Sequence, residues 1–144
     1  MAEIQRSALL PYPTEVVYRL INDVASYPHY MDGCIGAEVL QETEEFMVAR
    51  LDLYKGGFKY SLTTRNRMQR PSSIVMELVD GPFDKLTGRW TVAALSDEAC
   101  KVSLNLRFTL SSIVLGMAAR AMFNPMADNL VDALVKRAHH IHKK

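Results

Sequence analysis

Between residues 46 and 110 the sequence alternates between apolar and polar residues in five consecutive runs, and each run ends at a turn signal. In the first run Ala49, Leu51 and Leu53 share one face, whereas Arg50 and Asp52 share the other. A period of two residues is the side-chain period of a β-strand. Because the connections are short and rich in Gly, Pro, Ser and Asp, the pattern predicts an antiparallel meander with one apolar face.

Further strands and two short helices are predicted before these five runs. A strand over 4–10 is followed by a helix beginning at Thr14, and a second short helix or turn covers Ser26 to Tyr30. Another strand, roughly Gly36 to Glu42, precedes the five runs, so the meander has six strands. No linker or repeat divides the 144 residues, and this length suits one domain over 1–144.

The apolar face of the sheet needs a cover, and residues 113–142 are the only segment long enough to provide it. Apolar side chains recur there at steps of three and four residues, which predicts a long C-terminal helix. Pro125 is expected to kink that helix or to restart it after Asn124. The sequence therefore predicts an α+β fold in which a curved antiparallel sheet wraps around this helix.

Composition excludes several classes of function. The formal net charge of +1 is too balanced for broad nonspecific binding of nucleic acid, so no DNA partner is expected. Cys34 and Cys100 have neither metal-ligand nor disulfide-scaffold spacing, which favours a reducing, cytoplasmic setting. The N-terminus lacks the pattern of a signal peptide, and no segment reaches the ~20 apolar residues of a membrane span. Transient membrane contact is compatible with this composition.

Catalytic and metal-binding motifs are also missing from the sequence. There is no GxSxG, HExxH, phosphate-binding glycine loop or CxxC. His139, His140 and His142 cluster near the C-terminus, but a basic helix end explains them better than a metal site. We therefore expect no catalytic residues, no metal and no required cofactor.

Four segments together resemble a known family. They are Leu10-Pro11-Tyr12-Pro13, then Val24-Ala25-Ser26-Tyr27-Pro28-His29-Tyr30 with Cys34 after it, then Thr64-Arg65-Asn66, and finally Asp80-Gly81-Pro82-Phe83-Asp84-Lys85-Leu86-Thr87-Gly88-Arg89-Trp90. With the order of elements, they resemble the START-like superfamily of polyketide cyclase/dehydrase and lipid transport proteins, whose fold is the helix-grip fold. The closer resemblance is to the coenzyme Q-binding protein family and its bacterial relative, the ribosome association toxin RatA.

The resemblance implies a protein that binds a hydrophobic, isoprenoid-tailed lipid such as ubiquinone and supports respiration as a carrier or chaperone, not as an enzyme. The toxin branch implies a different partner, the large ribosomal subunit, and a block on subunit association. A cyclase-type enzyme would need an acid/base pair inside the pocket, and the predicted inward faces supply almost none.

Strand alternation, supported by the resemblance, predicts which residues line such a pocket. The sheet would contribute Leu51, Leu53, Phe58, Tyr60, Leu62, Met76, Leu78, Trp90, Leu106 and Phe108. The C-terminal helix would contribute Met117, Met122 and Met126, and Phe83 and Leu86 would border an entrance. Met adapts to exchangeable contacts, yet a Met stripe at helical spacing also suits ordinary core packing, and the sequence leaves both open. For ribosome binding, the candidate surface is the basic C-terminus with Arg65, Arg67, Arg70 and Arg89.

Overall fold

The structure is a computed structural model that describes residues 2–31, 33–55, 58–81, 83–110 and 129–141. Within these ranges it contains seven strands: β1 (Ala2–Leu10), β2 (Cys34–Glu42), β3 (Phe46–Lys55), β4 (Phe58–Gln69), β5 (Ser73–Asp80), β6 (Phe83–Ser96) and β7 (Ala99–Leu110). Helix α1 (Thr14–Asn22) and a short 3₁₀ helix (Val24–His29) lie between β1 and β2. The last described element is helix α2, residues 129–141.

All seven strands form one antiparallel sheet in the order β1-β7-β6-β5-β4-β3-β2. Strands β2 to β7 pair with their neighbours in sequence, as predicted for a six-stranded meander, and β1 adds to the free edge of β7. The helix-grip fold predicted from the sequence is confirmed. Register shifts interrupt the pairing of β2 with β3, of β4 with β5 and of β6 with β7, and such bulges increase the local twist that lets a sheet curve.

The two faces of the sheet differ as the alternation predicted. On β7, Val102, Leu104 and Leu106 are buried on the inner face, whereas Lys101 and Arg107 are exposed on the outer face. A one-residue slip in register would exchange these faces, so burial of the inner face fixes the pairing. The inner face is consequently both the core of the protein and the wall against which the helices pack.

Helix α1 packs through one apolar side, on which Val17, Tyr18 and Ile21 are buried. The helix begins at Thr14, as predicted, with Pro13 as its N-cap, and the Pro13 carbonyl accepts from the amides of Val16 and Val17. Pro has no amide to leave unsatisfied at this end of a helix. The Tyr18 hydroxyl donates to the Ser73 carbonyl at 3.2 Å, which ties α1 to the start of β5.

Helix α2 covers the inner face, as predicted for the C-terminal segment. Val131, Leu134 and Ala138 are buried, and this spacing is that of one helix face. Ile141, which continues the predicted apolar stripe, is 43% exposed, so the packed face ends before it. The remainder of the predicted helix, including Pro125, lies outside the described residues.

Candidate ligand-binding site

Between the sheet and α2 the structure encloses a cavity of about 760 Å³. This volume falls within the usual range for small-molecule sites, roughly 300–1,000 Å³. Its sheet wall includes Leu51, Leu53 and Leu62, and α2 closes the opposite side with Leu130 and Ala133. The chain thus holds a large, mainly apolar space beneath its covering helix.

Seven of the predicted pocket residues line this cavity. They are Leu51, Leu53, Leu62, Met76, Leu86, Trp90 and Leu106. All seven lie on the inner face of the sheet, as predicted from the alternation of side chains along each strand. Leu86, predicted at an entrance, is buried in the wall instead.

Three predicted residues face inward without bordering the cavity within the described part of the chain: Tyr60, Leu78 and Phe108. Phe108 is 1% exposed and packs in the hydrophobic core. Leu78 lies beyond the last β5–β6 pair, Glu77 with Thr87, where the two strands no longer form one wall. Tyr60 lies near the β3–β4 turn, and burial raises the pKa of its hydroxyl.

The other predicted residues cannot be compared with the cavity. Met117, Met122 and Met126 lie outside the described residues, as do the side chains of Phe58 and Phe83. Their contribution to ligand binding stays a prediction.

Sequence reasoning missed the helical wall between β1 and β2. Ile21, Val24 and Tyr27 line the cavity from α1 and the 3₁₀ helix, joined by Met31 and Cys34 just beyond. The apolar periodicity of α1 was visible in the sequence, but it indicates burial and not which space a side chain faces. Only the way the helices fold back over the sheet places them at the site.

Gly88 keeps part of the cavity open. A Cβ atom at this position would meet Leu106 Cδ2 at 2.6 Å and Met76 Cε at 2.7 Å, and both side chains line the same wall. Because a β-carbon never approaches so closely, any side chain there would displace its neighbours into the cavity. The glycine therefore contributes space to the site.

Two polar side chains interrupt the apolar wall on β4. Thr64 and Asn66 both line the cavity, and the Thr64 hydroxyl donates to Asn66 Oδ1 at 2.8 Å. Asn66 is 7% exposed and is the one buried polar or charged residue in the described chain. Strand alternation puts both on the inner face, since they continue the face of Leu62, but their polarity hides them from a search for apolar stripes.

The rim of the cavity is polar and mostly basic. His29 approaches it from the 3₁₀ helix, and Lys136, Arg137 and His140 approach it from α2, with one carboxylate, Asp132, among them. The Arg137 guanidinium carbon lies 5.3 Å from the centre of the Tyr30 ring, a cation–π distance. This contact joins α2 to the segment after the 3₁₀ helix across the rim.

Tyr27 and Tyr30 share a wall but differ in hydrogen bonding. The Tyr27 hydroxyl donates to the Ile21 carbonyl and so ties the 3₁₀ helix to α1. The Tyr30 hydroxyl is the one sealed side-chain polar atom without a partner in the described ranges. Burial raises the pKa of both hydroxyls, so both stay protonated at neutral pH.

Neither a membrane-spanning helix nor a metal site is found in the part of the chain that the structure describes. No helix there is long and apolar enough to cross a membrane. No three His, Cys, Asp or Glu side chains converge there as metal ligands would.

A curved antiparallel sheet that grips a C-terminal helix over an internal cavity defines a START-like helix-grip protein. The family described as "Polyketide cyclase / dehydrase and lipid transport" matches residues 10–135 of this chain. The chain belongs to that family, and the resemblance detected in its sequence motifs is confirmed.

Relatives and solved structures agree with this placement. The chain is 41% identical over 142 residues to the ribosome association toxin RatA of Escherichia coli K12, covering 99% of this chain and 90% of the relative. An aromatase/cyclase from Streptomyces sp. R1128 has a TM-score of 0.82 at 18% identity, covering 99% of this chain and 96% of that chain. A START superfamily protein from Mycobacterium smegmatis has a TM-score of 0.81 at 17% identity, covering 96% and 98%. These two structures share the fold.

Proposed function

We propose that this protein binds a hydrophobic, isoprenoid-tailed lipid of the ubiquinone type in its internal cavity and acts in the cytoplasm as a carrier or chaperone for it. The observation that carries this proposal is the apolar cavity of about 760 Å³ beneath α2. Leu51, Leu62 and Leu106 offer such a tail an aliphatic wall, and each buried methylene contributes about 0.8 kcal/mol. Membership of a lipid transport family supports the same conclusion.

The proposed activity is binding without catalysis and needs no cofactor. General acid–base chemistry requires a titratable group within reach of the substrate. On the described sheet wall the side chains of Thr64 and Asn66 do not titrate near neutral pH, burial raises the pKa of the Cys34 thiol, and His29, Asp132 and His140 lie at the rim. The cavity therefore suits a ligand that is held and released unchanged.

Lipid extraction tests the proposal directly. Purified protein is extracted with organic solvent and the extract analysed by mass spectrometry, with the expectation of a stoichiometric isoprenoid lipid. Added decylubiquinone should quench the fluorescence of Trp90, the single tryptophan of the chain, because its ring lines the cavity. Absence of both a co-purifying lipid and saturable quenching would refute the proposal.

A matched pair of variants separates the cavity from the surface. Ala133→Leu adds bulk to the α2 wall and should weaken decylubiquinone binding by about tenfold, since the added methyl groups occupy ligand space. Ala93→Leu makes the same change at an exposed position of β6 and should bind normally. Equal affinity of both variants would contradict binding beneath α2.

A second candidate function is association with the large ribosomal subunit, leading to a block on subunit association. It is supported by 41% identity to a relative named as a ribosome association toxin over nearly the whole chain. It is also supported by Arg67, Arg70 and Arg89, which are exposed and form no salt bridge with any residue that the structure describes. Arg67 and Arg89 flank Val75 from neighbouring strands of the outer face.

The basic residues predicted as one ribosome-binding surface occupy two faces of the protein. Arg65, Arg67 and Arg89 project from the outer face of the sheet, whereas the basic residues of α2 border the cavity on the inner side. Because α2 packs on the concave side, the sheet separates the two groups. The outer arginines are thus the better candidates for contacts with ribosomal RNA phosphates.

Cosedimentation with purified large subunits tests this second function. Binding should weaken steeply as salt rises, because phosphate contacts release counterions. The double variant Arg67→Glu/Arg89→Glu should lose cosedimentation and each single reversal should weaken it, whereas Arg19→Glu, a single reversal at an exposed position of α1, should retain it. Failure of the unaltered protein to cosediment at low salt would exclude this function.

A further inference from the structure

The amide nitrogen of Asn66 has no hydrogen-bond partner among the described residues. Its oxygen accepts from Thr64 at 2.8 Å, but its Nδ2 has no hydrogen-bond partner in the described ranges. Tyr30 Oη is the one polar side-chain atom there that is both sealed and unpaired, so Asn66 Nδ2 stays open to the cavity that the residue lines. Two N–H donors therefore point into a space walled mainly by hydrocarbon.

Apart from Thr64, the described residues that surround Asn66 are apolar and do not need an amide side chain to pack against. On β3 and β5 its register partners are Met47 and Met76, and Met68 is buried two residues further along β4. A thioether is at best a weak hydrogen-bond acceptor. Burying an amide donor without a partner costs free energy that a Leu of similar volume would avoid. An asparagine at this position thus makes sense if something inside the cavity accepts its hydrogen bonds.

The chemistry of the amide restricts that acceptor. Since Thr64 occupies Oδ1, the free side of Asn66 can only donate, so the matching group is an oxygen with lone pairs. An ionised carboxylate or phosphate would need a buried cation, and the described cations of the cavity, Lys136 and Arg137 among them, lie at its rim. A neutral carbonyl oxygen fits both conditions.

We propose that Asn66, oriented by Thr64, is a specificity-determining anchor that selects ligands carrying a neutral carbonyl oxygen over pure hydrocarbons of the same length. This inference rests on the proposed binding of a hydrophobic ligand in the cavity and specifies the chemistry of that ligand. Asn66 contacts the ligand, whereas Thr64 is a positioning residue that acts through the amide.

The test compares two probes that differ by one carbonyl group. Binding of 2-octanone and of octane is measured by headspace gas chromatography for the unaltered protein and for Asn66→Leu, Thr64→Val and Asn105→Leu. Asn105→Leu makes the same change on the outer face of β7, away from the cavity. The informative quantity is the ratio of the two affinities, because a change in cavity shape alone affects both probes alike.

For Asn66→Leu we expect the preference for 2-octanone to fall roughly three- to tenfold, the worth of one net hydrogen bond, while octane binds as well or better. Thr64→Val should lower the preference by a smaller factor, since the amide is retained but no longer held. Asn105→Leu should leave it unchanged. Thermal unfolding of each variant verifies that it is folded, and Thr64→Val still tests the anchor if Asn66→Leu does not fold.

The possible contrary results have different meanings. If both probes bind but their ratio is the same in all variants, the anchor is refuted and the hydrophobic cavity stands. If neither probe binds the unaltered protein, the proposed lipid binding fails together with the anchor.

Discussion

The hydroxyl of Tyr12 lies 2.8 Å from Nδ1 of His139, and their ring centres lie 5.5 Å apart. This contact joins the segment after β1 to α2, across 127 positions of sequence. Since α2 closes the cavity, a bond between these two residues fastens the cover to the body of the protein. Removing this hydrogen bond should therefore affect the stability of α2 more than that of the sheet.

Tyr12→Phe should loosen α2 without unfolding the sheet. An exposed hydrogen bond contributes about 0.5–1 kcal/mol, so amide hydrogen exchange within 129–141 should quicken by roughly two- to fivefold. Exchange in β6 and β7 should stay unchanged. Tyr54→Phe is the control, because the Tyr54 hydroxyl has no hydrogen bond to any described residue. Identical exchange in both variants would mean that the Tyr12 hydroxyl does not hold α2.

Tyr27→Phe and Tyr30→Phe should have opposite effects on stability. The first removes the hydroxyl that donates to the Ile21 carbonyl and leaves a buried acceptor unpaired, which should cost about 1–2 kcal/mol in the free energy of unfolding. The second removes a sealed hydroxyl without a partner among the described residues and should be neutral or stabilising. Urea unfolding measures both, and a larger loss for Tyr30→Phe would contradict this assignment.

Cys34 should report whether the cavity is occupied. Burial raises the pKa of the Cys34 and Cys100 thiols, so both should react slowly with N-ethylmaleimide, which attacks the thiolate. Cys34 lines the cavity, whereas Cys100 is fully buried elsewhere in the core. Peptide mass spectrometry should detect modification of Cys34 first, and decylubiquinone should slow it. Cys34→Ser, which lacks the reactive thiol, is the control. If decylubiquinone leaves the rate of Cys34 modification unchanged, the ligand does not bind next to Cys34.

Asp52 should make a small, acid-sensitive contribution to stability. A hydrogen bond from Ser61 at 2.8 Å lowers the pKa of the Asp52 carboxyl, and Arg50 lowers it further. A carboxyl with a lowered pKa in the folded state stabilises above its unfolded pKa, and this contribution is lost as pH falls through the folded pKa.

The corresponding variant is Asp52→Asn. It should lose less than about 1 kcal/mol at pH 7, and its difference from the unaltered protein should vanish as pH falls through the folded-state pKa of Asp52. Ser61→Ala removes the hydrogen bond that lowers the pKa of Asp52 most, so the stability of this variant should depend less on pH in the acid range. Urea unfolding at several pH values measures the effect, and a difference that grows on acidification would have the wrong sign.

Strand alternation predicted the wall of the site well but could not predict its limits. Leu62 and Phe108 follow the same rule and both face inward, yet Leu62 borders the cavity and Phe108 is fully packed. Alternation specifies a face, whereas the distance between that face and the covering helix depends on curvature along the sheet. The bulges that produce this curvature leave no simple mark in the sequence.

The polar features of the site were harder to find. Asn66 lies in a segment that resembled the family, yet a polar residue on an alternating strand looks like an ordinary surface position. His29 and Arg137 are far apart in sequence and meet at the rim because the 3₁₀ helix and α2 approach the same opening.

The sequence by itself determined the order of elements, the antiparallel meander and the inner face of each strand, because these depend on local periodicity and short turns. The tertiary structure alone decided that the inner face encloses a space and does not close into a solid core. The cavity lies between the inner face and α2, and Gly88 leaves room between Met76 and Leu106. It also brought the Asn66 amide to that space, since only packing determines whether an inward polar group meets protein or cavity.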